Sequence, residues 1–178
     1  SFIGPKRFIP PGMMIKDLPK IDVILISHNH YDAFDEKSFR ELAEHSPEAR
    51  VLVRLGDGPL AKEWGMKNVE ELDWYNTVQI GRVTFQSTPT LHRSNRGLFD
   101  VNSSLWQGFT ISGEIDGKTK KIWFVGDTGL GPFFKQEVAQ KVGPVDIALI
   151  PNGAFLPRNI MKWSHVSPAE ALELAKIM

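Results

Sequence analysis

With 178 residues, 42% of them hydrophobic, the chain has the size of one ordinary domain and enough apolar side chain to bury a core unaided. Its 21 basic residues balance 21 acidic ones, which leaves no global field to draw in nucleic acid or an anionic surface. The absence of cysteine excludes disulfides and thiolate metal sites, so His, Asp and Glu are the protein ligands open to any ion.

Residues 1–20 hold four prolines and little periodicity, which predicts an irregular lead-in over the domain surface. The opening Ser-Phe-Ile-Gly-Pro-Lys-Arg lacks the apolar core of a signal peptide, and no apolar run nears the roughly 20 residues that span a bilayer. The expected location is therefore the cytoplasm, free or in peripheral contact with a membrane, without a transmembrane segment. Order begins near Ile21: "IDVILIS" is continuously apolar and β-branched, as in a strand buried on both faces. Asp35 can cap a helix that places Phe39, Leu42 and Ala43 on one face and ends before Pro47. "ARVLVRL" predicts a strand, "GPLAKEWG" a short helix, "VEELDW" an extended piece, and "NTVQIGRVTFQSTPT" two alternating segments around Gly81.

"SSLWQGFTISGEI" and "KTKKIWFVGD" flank Asp116-Gly117, a dipeptide suited to a type I′ hairpin turn. A helix is expected within residues 132–141, stopped at Gly143-Pro144, followed by the strand "VDIALIPNG". Ser167-Pro168-Ala169-Glu170 combines an N-cap, a proline at the first helical position and the glutamate of a capping box before "ALELAKIM". Strands precede helices in both halves, which favours a layered α/β architecture for residues 1–178 as a single domain.

The chemistry gathers at strand ends. His28 and His30 are two apart after an apolar strand, so both imidazoles point to one side, and Asp32 continues the alternation. Three such ligands with a position left open describe a catalytic rather than a structural metal site. His92 follows the "VTFQSTPT" strand and Asp127 terminates "KIWFVGD", so three separated strand ends can deliver ligands to one rim. Taken alone, His92 reads equally as a loop histidine and Asp127 as a turn residue before Thr128-Gly129. His165 lies either in a pocket or on the plain surface. His45, beside Glu44 and Ser46, reads as solvated, and Trp106 within "LFDVNSSLW" as strand and core.

"SHNHYDAFD", "TPTLHRSNRGLFDVNSSLWQGFTI", "WFVGDTG" and "IPNGAFLPRNIMKWSHVSPAEAL" together resemble the metallo-β-lactamase superfamily, in the branch containing N-acyl-phosphatidylethanolamine phospholipase D and related bacterial hydrolases. The resemblance implies an αββα sandwich with one or two metal ions, usually zinc, on one edge. It implies that His28, His30 and His92 hold the first ion, that Asp32 belongs to the second and that Asp127 bridges both. It places His165 in the active site without making it a ligand. The family motif reads His-x-His-x-Asp-His, and Ala33 stands where the last His, a second-metal ligand, is expected. The family also carries strands before "FIGPKR" and a histidine after the final helix, so the resemblance implies truncation at both ends.

The activity it implies is hydrolysis of a small-molecule or lipid phosphodiester, or a related ester, by hydroxide generated at the ion, with one zinc well held and a second weakened. Asp127 orients that hydroxide, Asp32 accepts the proton, and His165 binds phosphoryl oxygens or protonates the leaving group. No nucleic-acid partner is expected, since the charge is balanced and no basic run is present. The alternative is an inactive member, by natural loss or engineered knockout at Ala33, that binds a ligand or metal without turnover.

Overall fold

The computed structural model describes residues 9–178, in which the irregular lead-in contains a single 3-10 turn, Ile15–Asp17, before the first strand. The expectation for residues 1–8 lies outside the described residues. The strand β1 (Val23–Leu25) is followed by helix α1 (Glu36–His45), β2 (Arg50–Arg54), α2 (Gly58–Glu63) and β3 (Asn68–Leu72). The three strands pair in parallel in the order β1-β2-β3, with the helices making the crossovers that parallel neighbours require. A second sheet runs β4 (Thr77–Ile80), β5 (Val83–Thr88), β6 (Gly108–Ile115), β7 (Lys118–Phe124) and β8 (Ile147–Leu149), antiparallel except for the parallel β7–β8 pair. Three helices, α3 (Ala139–Val142), α4 (Arg158–Met161) and α5 (Pro168–Ile177), complete the chain.

Side-chain alternation sets the layers. In β2, Val51 and Val53 turn outward onto α1 and α2, packing with Ile24, Phe39, Ala43, Ala61 and Trp64, while Leu52 turns inward. There Leu52 and Leu72 of the first sheet meet Val78, Phe85 and Phe109 of the second. Trp123 in β7 faces the opposite way, onto Phe134, Val138, Val142 and Leu174 of the C-terminal helices. The result is an αββα sandwich, as expected. Each of the buried Val, Leu, Ile and Phe side chains among these contributes about 1.5–3 kcal/mol by leaving water.

Local signals account for most element ends. Asp35 accepts a hydrogen bond from Ser38 N at 2.8 Å and starts α1, and Ser46 N closes it on Leu42 O. Asp116 and Gly117 take φ of 50° and 70°, the pair of positive values a type I′ turn needs. The capping box at α5 is present in both directions, Ser167 N to Glu170 Oε2 at 2.7 Å and Glu170 N to Ser167 Oγ at 3.3 Å. The helix expected within residues 132–141 is split: Phe134–Val138 is π-helical and only Ala139–Val142 is α, ending at Gly143 with φ 72°.

Four expectations are corrected. The first hairpin strand starts at Gly108 rather than Ser103, because Leu105 N and Gln107 N bond to Leu55 O and Ser27 O of the other sheet's loops. "LFDVNSSLW" is therefore a loop, with Leu98 and Phe99 89% and 99% exposed. Trp106 is half-buried rather than core, its Nε1 donating to Thr90 O at 2.9 Å. His45 is half-buried too, its ring bonded to Ser46 Oγ at 2.8 Å and Leu18 O at 3.0 Å. No helix among the described residues is long and apolar enough to cross a membrane.

Candidate metal centre

The carboxyl end of β1 feeds directly into the site. Ile26 N still bonds Leu52 O, and then Ser27 O turns to accept from Gln107 N, which releases His28 from the ladder. Beyond it the chain closes a tight turn, with Ala33 N and Phe34 N both donating to His30 O at 3.1 and 2.8 Å. His92 reaches the same place from the end of β5. Its segment is tied to the loop after β7 by the Leu91–Gly129 bridge and by Leu91 N donating to the Thr128 hydroxyl at 2.8 Å. Thr128 O in turn accepts from Val166 N at 2.7 Å, which sets His165 beside the same loop. Arg158 fixes that end further, donating from both guanidinium arms to His165 O and to the Glu170 carboxylate at 2.7–2.8 Å.

Asp127 follows Gly126, whose φ is 70° and at which a Cβ would stand 2.7 Å from Ser27 Cβ. Only glycine allows the two loops to approach so closely. Gly126→Ala is expected to cost about 1–3 kcal/mol, from strain in the left-handed region and this overlap. Chemical denaturation measures it, and a variant as stable as the parent would contradict the packing described.

The three imidazoles of His28, His30 and His92 form a cluster with ring centroids 4.5–4.9 Å apart, and one ligand atom from each lies within 4.8 Å of the others. Their outer nitrogens are fixed by neighbours. His28 Nδ1 meets Ser27 Oγ at 3.0 Å and His92 Nδ1 meets Ser164 O at 3.0 Å, an acceptor that requires Nδ1–H and leaves Nε2 with its lone pair. His92 Nε2 faces His30 Nδ1 at 3.1 Å, and His28 Nε2 is buried with no hydrogen-bond partner among the described residues. Burial lowers the His28 pKa to about 3, helped by repulsion from His30 and Arg54, and lowers that of His92 to about 2, helped by His28 and His30. His30 is lowered as well, chiefly by burial, against the pull of Asp32. Neutral, converging imidazoles, two of them buried and His30 half-buried, fit a divalent ion in the borderline range that zinc occupies.

The carboxylates lie to one side. Asp127 Oδ2 is 3.6 Å from His28 Nε2, too far for a hydrogen bond, and 3.9 Å from His165 Nδ1. Burial raises the Asp127 pKa, with a contribution from the charge of Asp32 and an opposing one from His165. Asp32 is exposed, and with Ala33, His28 and Asp127 it lines a cavity of about 460 Å³. His165 packs its ring 5.3 Å from that of His92, so it faces the cluster but stands outside the converging trio. Sequence reasoning does not find Ser27, Ser164 or Thr128, which orient the histidines through a side chain or a carbonyl. Thr128 reads from sequence only as a turn residue after Asp127.

A family model described as "Beta-lactamase superfamily domain" matches residues 1–178. The N-acyl-phosphatidylethanolamine-hydrolyzing phospholipase D 1 of Caenorhabditis elegans is 36% identical over 191 residues, covering 100% of this chain and 51% of that protein. The mitochondrial N-acyl-phosphatidylethanolamine-hydrolyzing phospholipase D of Saccharomyces cerevisiae is 31% identical, over 98% of this chain and 37% of its own length. The chain thus spans about half the length of the worm relative and less of the yeast one. Among solved structures, the isothiocyanate hydrolase from Delia radicum gut bacteria superposes with a TM-score of 0.69 over 99% of this chain and 69% of its own, at 17% identity, a likeness of fold alone. With a parallel and a mixed sheet packed between helices, histidines converging at the strand ends and a family match over residues 1–178, the chain belongs to the β-lactamase superfamily and has the metallo-β-lactamase fold.

Proposed function

We propose that the chain is the core of a metal-dependent hydrolase that uses zinc, held by His28, His30 and His92, to cleave a phosphodiester or related ester of a small molecule or lipid. The observation that carries the proposal is the buried His28 Nε2, without a hydrogen-bond partner among the described residues inside a cluster of neutral imidazoles. The phosphodiester class is supported by the worm and yeast relatives, whose names state hydrolysis of N-acyl-phosphatidylethanolamine. A divalent ion bound there supplies Lewis acidity, which polarises an ester oxygen and brings the pKa of water from about 15.7 to about 7.

The chain's own groups divide the remaining work. Asp127, between His28 and His165, accepts a hydrogen bond from the attacking water and directs its lone pair toward the ester. Asp32, at the exposed edge of the cavity, takes up the proton and passes it to solvent. His165 hydrogen-bonds a phosphoryl oxygen or protonates the leaving group. His165→Ala is expected to lower kcat by about 10²-fold while bound zinc stays constant, the size of one acid-base or electrostatic contribution. Elemental analysis beside steady-state rates checks this, and loss of zinc from that variant would make His165 a ligand instead.

Ala33 favours a second reading, an inactive member that binds a metal or ligand without turnover. Its methyl group lines the same cavity as Asp32 and Asp127 and offers no donor, so a second ion has two carboxylates at most from these residues. Zinc-loaded protein assayed against bis(p-nitrophenyl) phosphate and N-acyl-phosphatidylethanolamine vesicles separates the readings. Turnover that disappears on chelation and returns with zinc supports the hydrolase. Tight zinc binding with no turnover of either substrate supports the binding protein.

A further inference from the structure

We infer that Arg96 is a positioning residue for the ligand loop: one guanidinium nitrogen bonded to the carbonyls on either side of His30 and Asp32 holds the segment that presents them. The inference rests on the reading of His28, His30 and His92 as ligands and adds the device that keeps two of them in place. Residues 28–34 lie beyond the end of β1, where no strand among the described residues pairs with them. Their own turn is closed only by Ala33 N and Phe34 N on His30 O. Arg96 reaches in from the loop after β5 and donates from Nη1 to Asn29 O at 2.8 Å and to Phe34 O at 2.6 Å. These two carbonyls bracket the turn.

The guanidinium is itself held among aromatic rings, and its backbone is tied as well. Its carbon lies 4.2 Å from the Tyr31 ring centroid and 5.0 Å from that of Trp64, and the Tyr31 hydroxyl donates back to Arg96 O at 2.8 Å. Arg96 N donates to both oxygens of Asp100 at 3.0 and 3.1 Å, and Gly97 N and Asn95 Nδ2 also donate to that carboxylate, at 2.7 and 2.9 Å. Asn95 N then donates to Asn29 Oδ1 at 2.9 Å, and Asn29 Nδ2 reaches Ser104 Oγ at 3.2 Å, so the residue between the two histidines is buried and tied on both ends. The loop after β5 is organised on Asp100 and transmits that order to the ligand turn through Arg96 and Asn29. A planar guanidinium can stack on Tyr31 while bonding two carbonyls; an ammonium cannot do both. A turn freed from this clamp must be ordered by the ion on binding, and that entropy is subtracted from affinity.

The test uses Arg96→Met and Arg96→Lys in the full chain, with three readouts besides activity. In metal-free protein, amide exchange at Ala33 and Phe34 should quicken by about 10-fold in Arg96→Met, with part of the protection recovered in Arg96→Lys. Zinc affinity, by competition with a chromophoric chelator, should weaken by about 10- to 100-fold, the range seen when a ligand's support is removed. At saturating cobalt the visible absorption of Arg96→Met should be weaker and shifted, since a loosened His30 alters the coordination geometry. If Arg96→Met fails to fold, Arg96→Lys, which keeps the stem and the charge, carries the same three measurements.

Unchanged exchange at Ala33 and Phe34 overturns the inference, and so do unchanged zinc affinity and cobalt spectrum beside faster exchange. Wild-type protein that takes up no zinc removes the ligand reading of the histidines instead. The exchange rates then still decide whether Arg96 fixes the loop.

Discussion

His92→Ala is expected to strip the protein of zinc and to reduce kcat/KM by at least about 10³-fold, roughly 4 kcal/mol of transition-state stabilisation. The imidazole it removes is 7% exposed, its Nδ1 is committed to Ser164 O and its Nε2 points into the cluster, so its loss takes away a preorganised donor. Two imidazoles are fewer than the three protein ligands on which catalytic zinc sites are built. The fold should survive, because His92 lies in a loop beyond β5 and stands outside the three apolar clusters. Far-ultraviolet circular dichroism of the variant should match the parent while zinc, measured after gel filtration, falls below about a tenth of an ion per chain. A variant that keeps its zinc and its rate would place the ion somewhere other than the histidine cluster.

Ala33→His carries the second large effect, in the opposite direction. Ala33 shares the cavity of about 460 Å³ with Asp32 and Asp127, so an imidazole introduced there adds a nitrogen donor to the two carboxylates. Bound zinc should rise from about one ion per chain toward about two. The rate should rise by about 10²-fold, mostly in kcat, because a second ion stabilises charge on the attacking and leaving oxygens more than it stabilises the ground state. Titration with zinc followed by steady-state rates at each loading checks both statements. If metal content and rate stay where they are, the site works with a single ion and the two-ion arrangement does not apply to this chain.

What sequence makes legible here is whatever local chemistry decides. Asp35 with its bond to Ser38, the Asp116-Gly117 turn, and the Ser167 to Glu170 box each depend on residues no more than three apart, and each is found where it is expected. The alternation in β2 and β7 decides the layers for the same reason. The cluster is legible because strand ends converge when strands lie side by side.

The parts that sequence hides depend on distant partners. The segment "LFDVNSSLW" has the apolar content of a strand, but Asp100 gathers three donors from residues 95–97 and Leu105 and Gln107 bond across to the other sheet, which holds the segment as a loop. His45 bonds the carbonyl of Leu18, 27 residues earlier, a contact that no periodicity announces. Arg96 looks like one basic residue in "HRSNRG", and its importance comes from carbonyls 62 and 67 positions away.

Zinc X-ray absorption on the loaded protein tests the central claim most directly. Three imidazole nitrogens per zinc are predicted at about 2.0–2.1 Å, and His30→Ala, which like His92→Ala leaves two imidazoles, should no longer hold zinc with that shell. A shell made only of oxygen, or an imidazole count that His30→Ala leaves unchanged, would contradict it.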